Sequence, residues 1–164
     1  MEDKQVLIIG GGITGMKAAL RLAELGIKSI IVEKESTLGG KVKNYSRLFP
    51  DFRDSKAVIG ELLKGIADNP CIELYLGQEV IEAIKINQQY KLTLNNGALL
   101  TADSVVIASG FDLFDAARIP EYGYGVYPNV INSLEMENIL AGQPGKIQRP
   151  SDGQEAKAFA IVFC

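Results

Sequence analysis

The stretch VLIIGGGITG, residues 6–15, decides the fold of this chain. Its first four residues form an apolar run without alternation, which is typical of a parallel strand buried on both faces. From Met16 to Ala23 the apolar residues recur at i, i+3, i+4 and i+7, the period of an amphipathic helix. Gly26 is placed to end that helix, and residues 29–33 form a second apolar run. The stretch therefore predicts a strand–helix–strand unit with a parallel sheet.

The rest of the chain extends this unit. Asp54 or Ser55 can cap a second helix, and further strands are expected at 72–76, 80–86, 90–94, 98–101 and 104–108. Of these, 80–86 and 90–94 are antiparallel, and Asn96-Gly97 is a tight turn into 98–101. A short helix at 134–140, a loop-like stretch and a buried strand at Ala158–Phe163 follow. The predicted fold class is α/β, a Rossmann-like parallel sheet with a small antiparallel β-meander in three β/β/α layers.

Composition excludes several classes of protein. The 164 residues allow one domain of ordinary size, and the absence of histidine excludes His-dependent catalysis and His-ligated metal sites. A net charge of −3 lacks the basic footprint of a nucleic-acid binder, and the apolar runs are too short to span a bilayer. Two cysteines and no signal-peptide pattern favour a cytoplasmic protein.

The glycines at residues 10–15 fit the dinucleotide fingerprint G-x-G-x-x-G. Gly10 permits the tight turn, Gly12 lets a pyrophosphate approach the backbone, and Gly15 lets the helix pack on the strand. Glu33 ends the next strand, where its carboxylate can accept hydrogen bonds from both ribose hydroxyls and would repel a 2′-phosphate. The alternative is a glycine-rich turn that binds nothing.

Two later signals bear on whether the dinucleotide is FAD or NAD. Gly39-Gly40 would let the backbone pass close to a cofactor, and Lys41 could neutralise a phosphate. The strand at 104–108 ends in Ala108-Ser109-Gly110. In flavoproteins of the glutathione-reductase and thioredoxin-reductase type, a similar strand ends in Ala-Thr-Gly. Taken alone, the glycine pair also occurs in ordinary loops, and such a strand end also occurs in ordinary core strands. Because the signals occur together and in this order, they favour FAD.

On these three motifs the chain resembles the two-dinucleotide-domain flavoproteins. A narrower resemblance covers nearly the whole chain: residues 111–115, 120–125, 127–130, 133–135 and 149–153 are similar to the A-type subunit of heterodisulfide reductase and its relatives. Those relatives include subunits of the quinone-interacting oxidoreductase complexes of sulfate reducers.

The resemblance implies an FAD-binding electron-transfer subunit that works beside iron–sulfur subunits, with a homodimer left open. We expect a domain at 1–141, with 142–164 as a linker and the first strand of a following, truncated domain, because a strand such as that at 158–163 normally feeds a turn and a helix. No catalytic or metal-binding residue is assigned. The cofactor-binding residues that the resemblance implies are Gly10, Gly12, Ile13, Thr14, Gly15, Glu33, Lys34, Gly39, Gly40, Lys41, Val80, Ala108, Ser109 and Gly110.

The chain departs from that family in its cysteines. The loop from Asn44 to Lys56 has none, and neither a cluster motif nor a redox-active cysteine pair follows Gly39-Gly40. We therefore predict no iron–sulfur cluster and no dithiol chemistry in this chain. Two alternatives stay open: an NAD-binding dehydrogenase domain, and a non-catalytic nucleotide-binding assembly module. Tyr122, Tyr124 and Tyr127 would either line a flavin or partner surface or pack within an irregular loop.

Overall fold

A computed structural model describes residues 4–142 and 145–162 of the chain. The chain divides into two compact units. The first unit consists of Met1–Lys43 and Arg53–Phe111, and the second consists of Asn44–Phe52 and Asp112–Cys164. The strands are β1 (Gln5–Ile9), β2 (Lys28–Glu33), β3 (Arg47–Leu48), β4 (Arg53–Asp54), β5 (Ile72–Leu76), β6 (Val80–Ile86), β7 (Gln89–Leu94), β8 (Leu99–Ala102) and β9 (Ser104–Ile107). The helices are α1 (Ile13–Glu24), α2 (Ser55–Ile66) and α3 (Ser133–Gly142), with short 3₁₀ turns at Gly40–Asn44, Ala116–Arg118 and Pro120–Tyr122.

A four-stranded parallel sheet forms the centre of the first unit, in the order β5-β2-β1-β9. Leu7 of β1 pairs in register with Ile30 of β2 and Val105 of β9. Leu7 and Ile8 of β1 are both fully buried, one on each face of the sheet, because other elements pack over both faces. The carboxyl ends of β1, β2 and β9 therefore meet at one edge of the sheet, where parallel α/β folds place their ligands.

Two hydrophobic cores cover the two faces of this sheet. On one face Leu7, Ile30 and Val32 pack against Leu92 and other residues of the meander. On the other face Ile8 and Ile31 pack against residues of the two helices: Met16, Ala19, Leu62 and Ile66. This alternation follows from the period of two along a strand. The predicted fold class, a parallel sheet between helices and a small antiparallel meander, is confirmed.

The meander is an antiparallel sheet in the order β6-β7-β8. Its second turn carries the predicted Asn-Gly pair, where the Asn96 side chain accepts from the Ala98 N–H at 2.9 Å. Gly97 adopts a φ of +85°, a conformation that suits glycine.

At the amino end of the parallel sheet, Asp103 closes the connection between the meander and β9. Its carboxylate accepts hydrogen bonds from the backbone N–H of Gln5 at 2.8 Å and from the Gln89 amide at 3.3 Å. The Asp103 N–H donates in turn to the Gln5 carbonyl. The two hydrogen bonds to the carboxylate, chiefly the one from the Gln5 N–H, hold the pKa of Asp103 below its ordinary value of 3.8. The start of β1 is thereby fixed to the start of β9.

Helix α2 begins as its sequence predicts. Asp54 is the N-cap, and its side chain accepts from the Ala57 N–H at 2.9 Å. Ile59, Leu62 and Ile66 are buried on one side of this helix.

The second unit is built around α3 and irregular segments. Asn132 caps α3 by accepting from the Glu135 N–H, while the Glu135 carboxylate accepts from the Asn132 N–H at 2.7 Å. This reciprocal pair is a capping box. In the same unit, the Glu137 carboxylate accepts from the Ser46 N–H at 2.9 Å. Residues 147–156 turn back on themselves, with Arg149 paired to Asp152.

Two of the expected strands differ in the structure. Strand β9 is an edge strand that pairs, among the described residues, only with β1; Val105 and Val106 are half-buried in the two cores, and Ile107 is 76% exposed. Residues 158–162 form no strand and are exposed, while Phe163 of the predicted strand lies outside the described residues. The physical reason is shared, because an apolar run is buried only where other elements pack over both of its faces.

Candidate functional site

The first glycine loop of the site runs from the end of β1 into α1. Gly10 adopts a φ of +107°, and its N–H donates to the Val32 carbonyl at 2.8 Å. A Cβ at this position would overlap the carbonyl oxygen of Ala108, which follows β9. Gly10 is therefore required both by the backbone conformation and by the close approach of another strand end.

Gly15 brings helix α1 against the same loop. A Cβ on Gly15 would overlap the carbonyl oxygen of Gly10, so the first turn of the helix rests directly on the turn before it. The first hydrogen bond of the helix joins the Met16 N–H to the Gly12 carbonyl at 2.9 Å. The N–H groups of Ile13, Thr14 and Gly15 thus precede the helical ladder, where a helix offers donors and partial positive charge.

Gly12 differs from its neighbours because no atom lies within 4 Å of the position its Cβ would take. Its φ of −73° is open to any L residue, so the backbone does not require glycine there. The open space lies at the N-cap of α1, where no side chain caps the helix. This is a cradle that a Cβ would fill, and it suits a phosphate group held by the N–H groups of the helix.

Glu33 is buried at the end of β2, with 6% of its surface exposed. One carboxylate oxygen accepts from the Gly11 N–H at 2.6 Å, and the other accepts from the Glu35 N–H at 2.9 Å. The carboxylate therefore holds the first glycine loop against the next strand. Each carboxylate oxygen can accept more than one hydrogen bond, so Glu33 keeps capacity for a ligand hydroxyl.

The second loop, Gly39-Gly40, lies directly against the first. The Gly39 N–H donates to the Gly11 carbonyl at 2.9 Å, and Gly39 forms a parallel bridge with Gly12. Both glycines have positive φ, and a Cβ on Gly40 would come within 3.1 Å of the Gly12 Cα. Lys41 follows, half-buried, with its Nζ 5.0 Å from the centre of the Phe111 ring.

The third loop continues from β9. The Ala108 N–H donates to the Ile9 carbonyl at 2.8 Å, which holds this loop beside the first. Ser109 is exposed, and Gly110 turns the chain with a φ of +74°. The structure thus brings together the glycine loop, Glu33, Gly39-Gly40 and the end of β9.

The remaining predicted site residues lie around this centre. Ile13 is half-buried and Thr14 exposed in the first turn of α1, and Lys34 is exposed just after β2. Val80 begins β6 and packs on the meander side of the sheet. Two hydrogen bonds, Gly77 N–H to the Glu35 carbonyl and Gln78 N–H to the Glu33 carbonyl, hold the stretch before Val80 to the end of β2.

Three neighbours of the site were not anticipated from the sequence. Gly11 is buried and donates to Glu33, Leu38 is buried beside Gly11, and Phe111 contacts Lys41. The signal for Phe111 was its place directly after Gly110. The hydrogen bond from the Gly11 N–H to Glu33 joins residues 22 positions apart, so no local sequence pattern predicts it.

Two tyrosines of the second unit, Tyr127 and Tyr124, have contacts within that unit. The Tyr127 ring lies against Gly123, where a Cβ would overlap it. The Tyr124 hydroxyl accepts from the Asn132 side chain at 2.9 Å and lies 3.3 Å from the Glu135 carboxylate. Tyr124, Tyr127 and Glu135 border an open cavity of about 530 Å³ in the second unit.

Metal-binding clusters and membrane-spanning helices are both absent from the described part of the chain. Within residues 4–142 and 145–162, no group of three or more His, Cys, Asp or Glu side chains is placed to hold a metal ion. The same residues contain no helix that is long and apolar enough to cross a membrane.

The chain is similar to A-type subunits of heterodisulfide reductases from several methanogens. The chain is 26% identical to the A-type subunit of the ferredoxin/F420H2-dependent CoB–CoM heterodisulfide reductase of Methanosarcina acetivorans, over 99% of this chain and 31% of that protein. It is 25% identical to an A-type iron–sulfur subunit of the CoB–CoM heterodisulfide reductase of Methanopyrus kandleri, over 98% and 37%. The chain therefore spans about a third of the length of these relatives.

Two solved structures with a similar fold are named as a dehydrogenase and a disulfide reductase. L-proline dehydrogenase of P. horikoshii superposes with a TM-score of 0.56 and 26% identity, over 67% of this chain and 24% of that one. Bacillithiol disulfide reductase of Staphylococcus aureus gives a TM-score of 0.54 at 19% identity, over 67% and 39%. The second likeness, at its low identity, shows the fold alone.

A family model described as pyridine nucleotide-disulphide oxidoreductase matches residues 4–144. The resemblance predicted from the sequence is confirmed, and with it, at the level of the family, a flavin-dependent oxidoreductase with FAD as cofactor. The chain belongs to the pyridine nucleotide-disulphide oxidoreductase family.

Proposed function

We propose that this chain is the FAD-binding electron-transfer domain of an oxidoreductase similar to the A-type subunit of heterodisulfide reductase. The observation that carries the proposal is the open cradle at Gly12, bordered by Gly40 at one side and by the start of α1. Gly10 and Gly15 are closed against backbone atoms, whereas Gly12 is free. Neither its φ nor a neighbouring atom requires glycine at position 12, which supports a ligand that approaches the backbone at the start of the helix.

The chain's residues divide the work of holding the dinucleotide. The N–H groups at the start of α1 donate to the pyrophosphate, and Lys41 adds a positive charge beside them. Glu33 accepts from the ribose hydroxyls while it holds Gly11. The backbone of Gly39-Gly40 and of Ser109-Gly110 approaches the cofactor because neither loop places a large side chain there.

The remaining predicted residues take supporting places in the same proposal. Ile13 and Thr14 lie in the helical turn that donates to the phosphates, and Lys34 follows Glu33 on the ribose side. Val80 begins β6 and Ala108 directly follows β9, and both border the site. The bound flavin would supply the hydride or electron transfer, and no side chain of this chain is assigned as acid, base or nucleophile.

The partners we propose are iron–sulfur electron-transfer subunits of a redox complex. Support comes from the relatives, which are named as A-type subunits of heterodisulfide reductase. The matched region extends over 245 residues in the first of these relatives, whereas this chain has 164 residues. The chain also has only two cysteines, too few to bind an iron–sulfur cluster through four thiolates. We therefore keep the proposal that this chain holds no cluster of its own and that its electrons pass to clusters on other subunits.

We also propose domain bounds, a cellular location and an oligomeric state for this protein. The cofactor-binding domain covers 1–141, and 142–164 lead into a following domain, in which the exposed apolar run at 158–162 would find strands to pair with. The protein acts in the cytoplasm. Homodimer formation remains a prediction from the resemblance.

The visible absorption spectrum of the purified chain tests the proposal. We expect the flavin bands near their usual positions, either as purified or after addition of FAD and removal of the excess. The matched comparison is a titration with NADH under the same conditions. A colourless protein that takes up no added FAD but binds NADH would show that the site is that of an NAD-binding dehydrogenase domain.

A further inference from the structure

The loop that follows β3 exposes two aromatic side chains, and we call its residues 49–52 the aromatic tip. Phe49 is 87% exposed and Phe52 is 62% exposed, although neither side chain has a polar group. Phe52 also adopts a φ of +54°, which a bulky side chain rarely takes. Residues held in such conformations concentrate at functional sites, so the tip calls for a binding partner.

The second unit, to which the aromatic tip belongs, also carries the open cavity of about 530 Å³. Its lining is mostly apolar and includes Val126, Tyr127, Val130, Ile131 and Ile139. Two of these residues, Val126 and Tyr127, are themselves largely exposed. Because apolar surface gains free energy when it leaves water, a cavity with this lining favours an apolar occupant.

The aromatic tip does not fill the cavity of its own chain, since Phe49 and Phe52 are both exposed. The segment that carries the tip is joined to α3 by the hydrogen bond from the Ser46 N–H to the Glu137 carboxylate. At about 100° per residue, Glu137 lies on the side of α3 opposite Glu135 and Ile139, which line the cavity. The tip is therefore attached on the far side of the helix from the cavity, and both stay open to a second molecule.

The exposed areas match what a small dimer needs. A buried aromatic side chain removes about 150–250 Å² of surface from water. Two such side chains from each copy, together with the cavity walls that they cover, amount to about 1,200 Å², the lower limit of stable interfaces. The tip and the cavity belong to one chain, so each of two copies can supply both, as a twofold interface requires.

We infer that the partner of this surface is a second copy of the chain: the aromatic tip of each copy enters the cavity of the other in a twofold dimer. The inference rests on the homodimer of the proposed function and needs no bound cofactor. Phe49 and Phe52 are the anchors of this interface, because a few buried anchors carry most of the binding energy between proteins.

Sedimentation velocity of the purified chain, at concentrations up to millimolar, tests the interface. The wild-type chain should form dimers as its concentration rises. Phe49→Ser removes one anchor and should raise the dimer dissociation constant about tenfold or more. Val126→Glu places a charge against the apolar tip of the other copy and should weaken the dimer as well. The matched control is Leu99→Ser on β8, which changes an apolar residue that is 76% exposed and should leave the dissociation constant unchanged.

A mixture of the two weakened variants shows whether tip and cavity meet. In a mixed dimer the intact tip of the Val126→Glu chain faces the intact cavity of the Phe49→Ser chain. One complete contact is thereby restored, so the mixture should dimerise more tightly than either variant alone.

The outcomes separate this interface from the proposed cofactor. A chain that stays monomeric at millimolar concentration, an equal weakening by Leu99→Ser, or a mixture no tighter than its separate variants overturns the interface. Urea unfolding checks that each variant is folded, and Phe52→Ser replaces Phe49→Ser if that variant is not. FAD uptake is measured on the same samples. A dimer that takes up no FAD overturns the proposed cofactor alone, and a monomer that takes up FAD overturns the interface alone.

Discussion

The two ends of the parallel sheet use the same local chemistry for different purposes. At the carboxyl end the Glu33 carboxylate accepts from the Gly11 N–H at 2.6 Å, and at the amino end the Asp103 carboxylate accepts from the Gln5 N–H at 2.8 Å. In each case a carboxylate holds the backbone of one strand connection to another. The surroundings differ: Glu33 is buried beneath glycine loops, whereas Asp103 is half-buried beside the meander.

The difference shows what turns a sheet edge into a binding site. At the amino end, a side chain and a backbone pair occupy the space between β1 and β9. At the carboxyl end, glycines of three loops meet, and the N–H groups at the start of α1 lie beside the open space at Gly12. The site therefore depends on which glycines are closed against the backbone and which one is left open.

Gly15→Ala should have the largest effect, because its Cβ would overlap the Gly10 carbonyl oxygen. The helix must then move away from the loop, at a cost of about 2–3 kcal/mol in the free energy of unfolding. FAD binding should be lost together with that stability. Urea unfolding measures the first effect and the flavin spectrum the second.

The matched control is Gly60→Ala, a second helical glycine whose Cβ would meet no atom within 4 Å. Alanine there should raise the free energy of unfolding by up to about 1 kcal/mol and leave FAD affinity unchanged. If both alanine variants were equally stable, the contact between α1 and the first loop would not hold the carboxyl end together.

Gly12→Thr should separate binding from folding at the same end of the sheet. Threonine is accepted at an N-cap about as well as glycine, so the free energy of unfolding should change by less than about 0.5 kcal/mol. Its side chain would fill the open cradle, and FAD affinity should fall about tenfold or more. Fluorescence titration with FAD checks the affinity. Unchanged affinity in a folded variant would mean that the cradle does not hold the cofactor.

Much of the carboxyl end could be predicted from the sequence because its signals are local. The glycine spacing at 10–15 lies between a strand run and a helical period, and Asp54 marks its helix start within a few residues. Burial could not be predicted in the same way, since it depends on which distant elements pack over each face of a strand. The apolar sequences of β9 and of residues 158–162 both suggest a buried strand, yet one lies at an edge and the other is exposed.

The contacts between loops were beyond sequence reasoning for a related reason. Gly11 and Glu33 are 22 residues apart, and Lys41 and Phe111 are farther apart still. Such pairs are brought together only by the parallel register of β1, β2 and β9. The sequence therefore predicts which residue types stand at the edge, while the sheet decides which of them touch.

Asp103→Asn should have the smallest effect and should be confined to the amino end of the sheet. The pKa of Asp103 is below its ordinary value of 3.8, so its carboxylate stabilises the fold at pH values above 3.8. That contribution is lost as the pH falls below 3.8 and through the lower pKa of the folded state, because the carboxylate then becomes protonated. Asparagine still accepts through its amide oxygen, so the loss of stability at pH 7 should be modest. The gap between the two proteins should narrow toward pH 3, as urea unfolding at the two pH values would show. FAD affinity at pH 7 should stay unchanged, since Asp103 stands at the end of the sheet opposite the cradle; a loss of affinity there would mean that the two ends do not act separately.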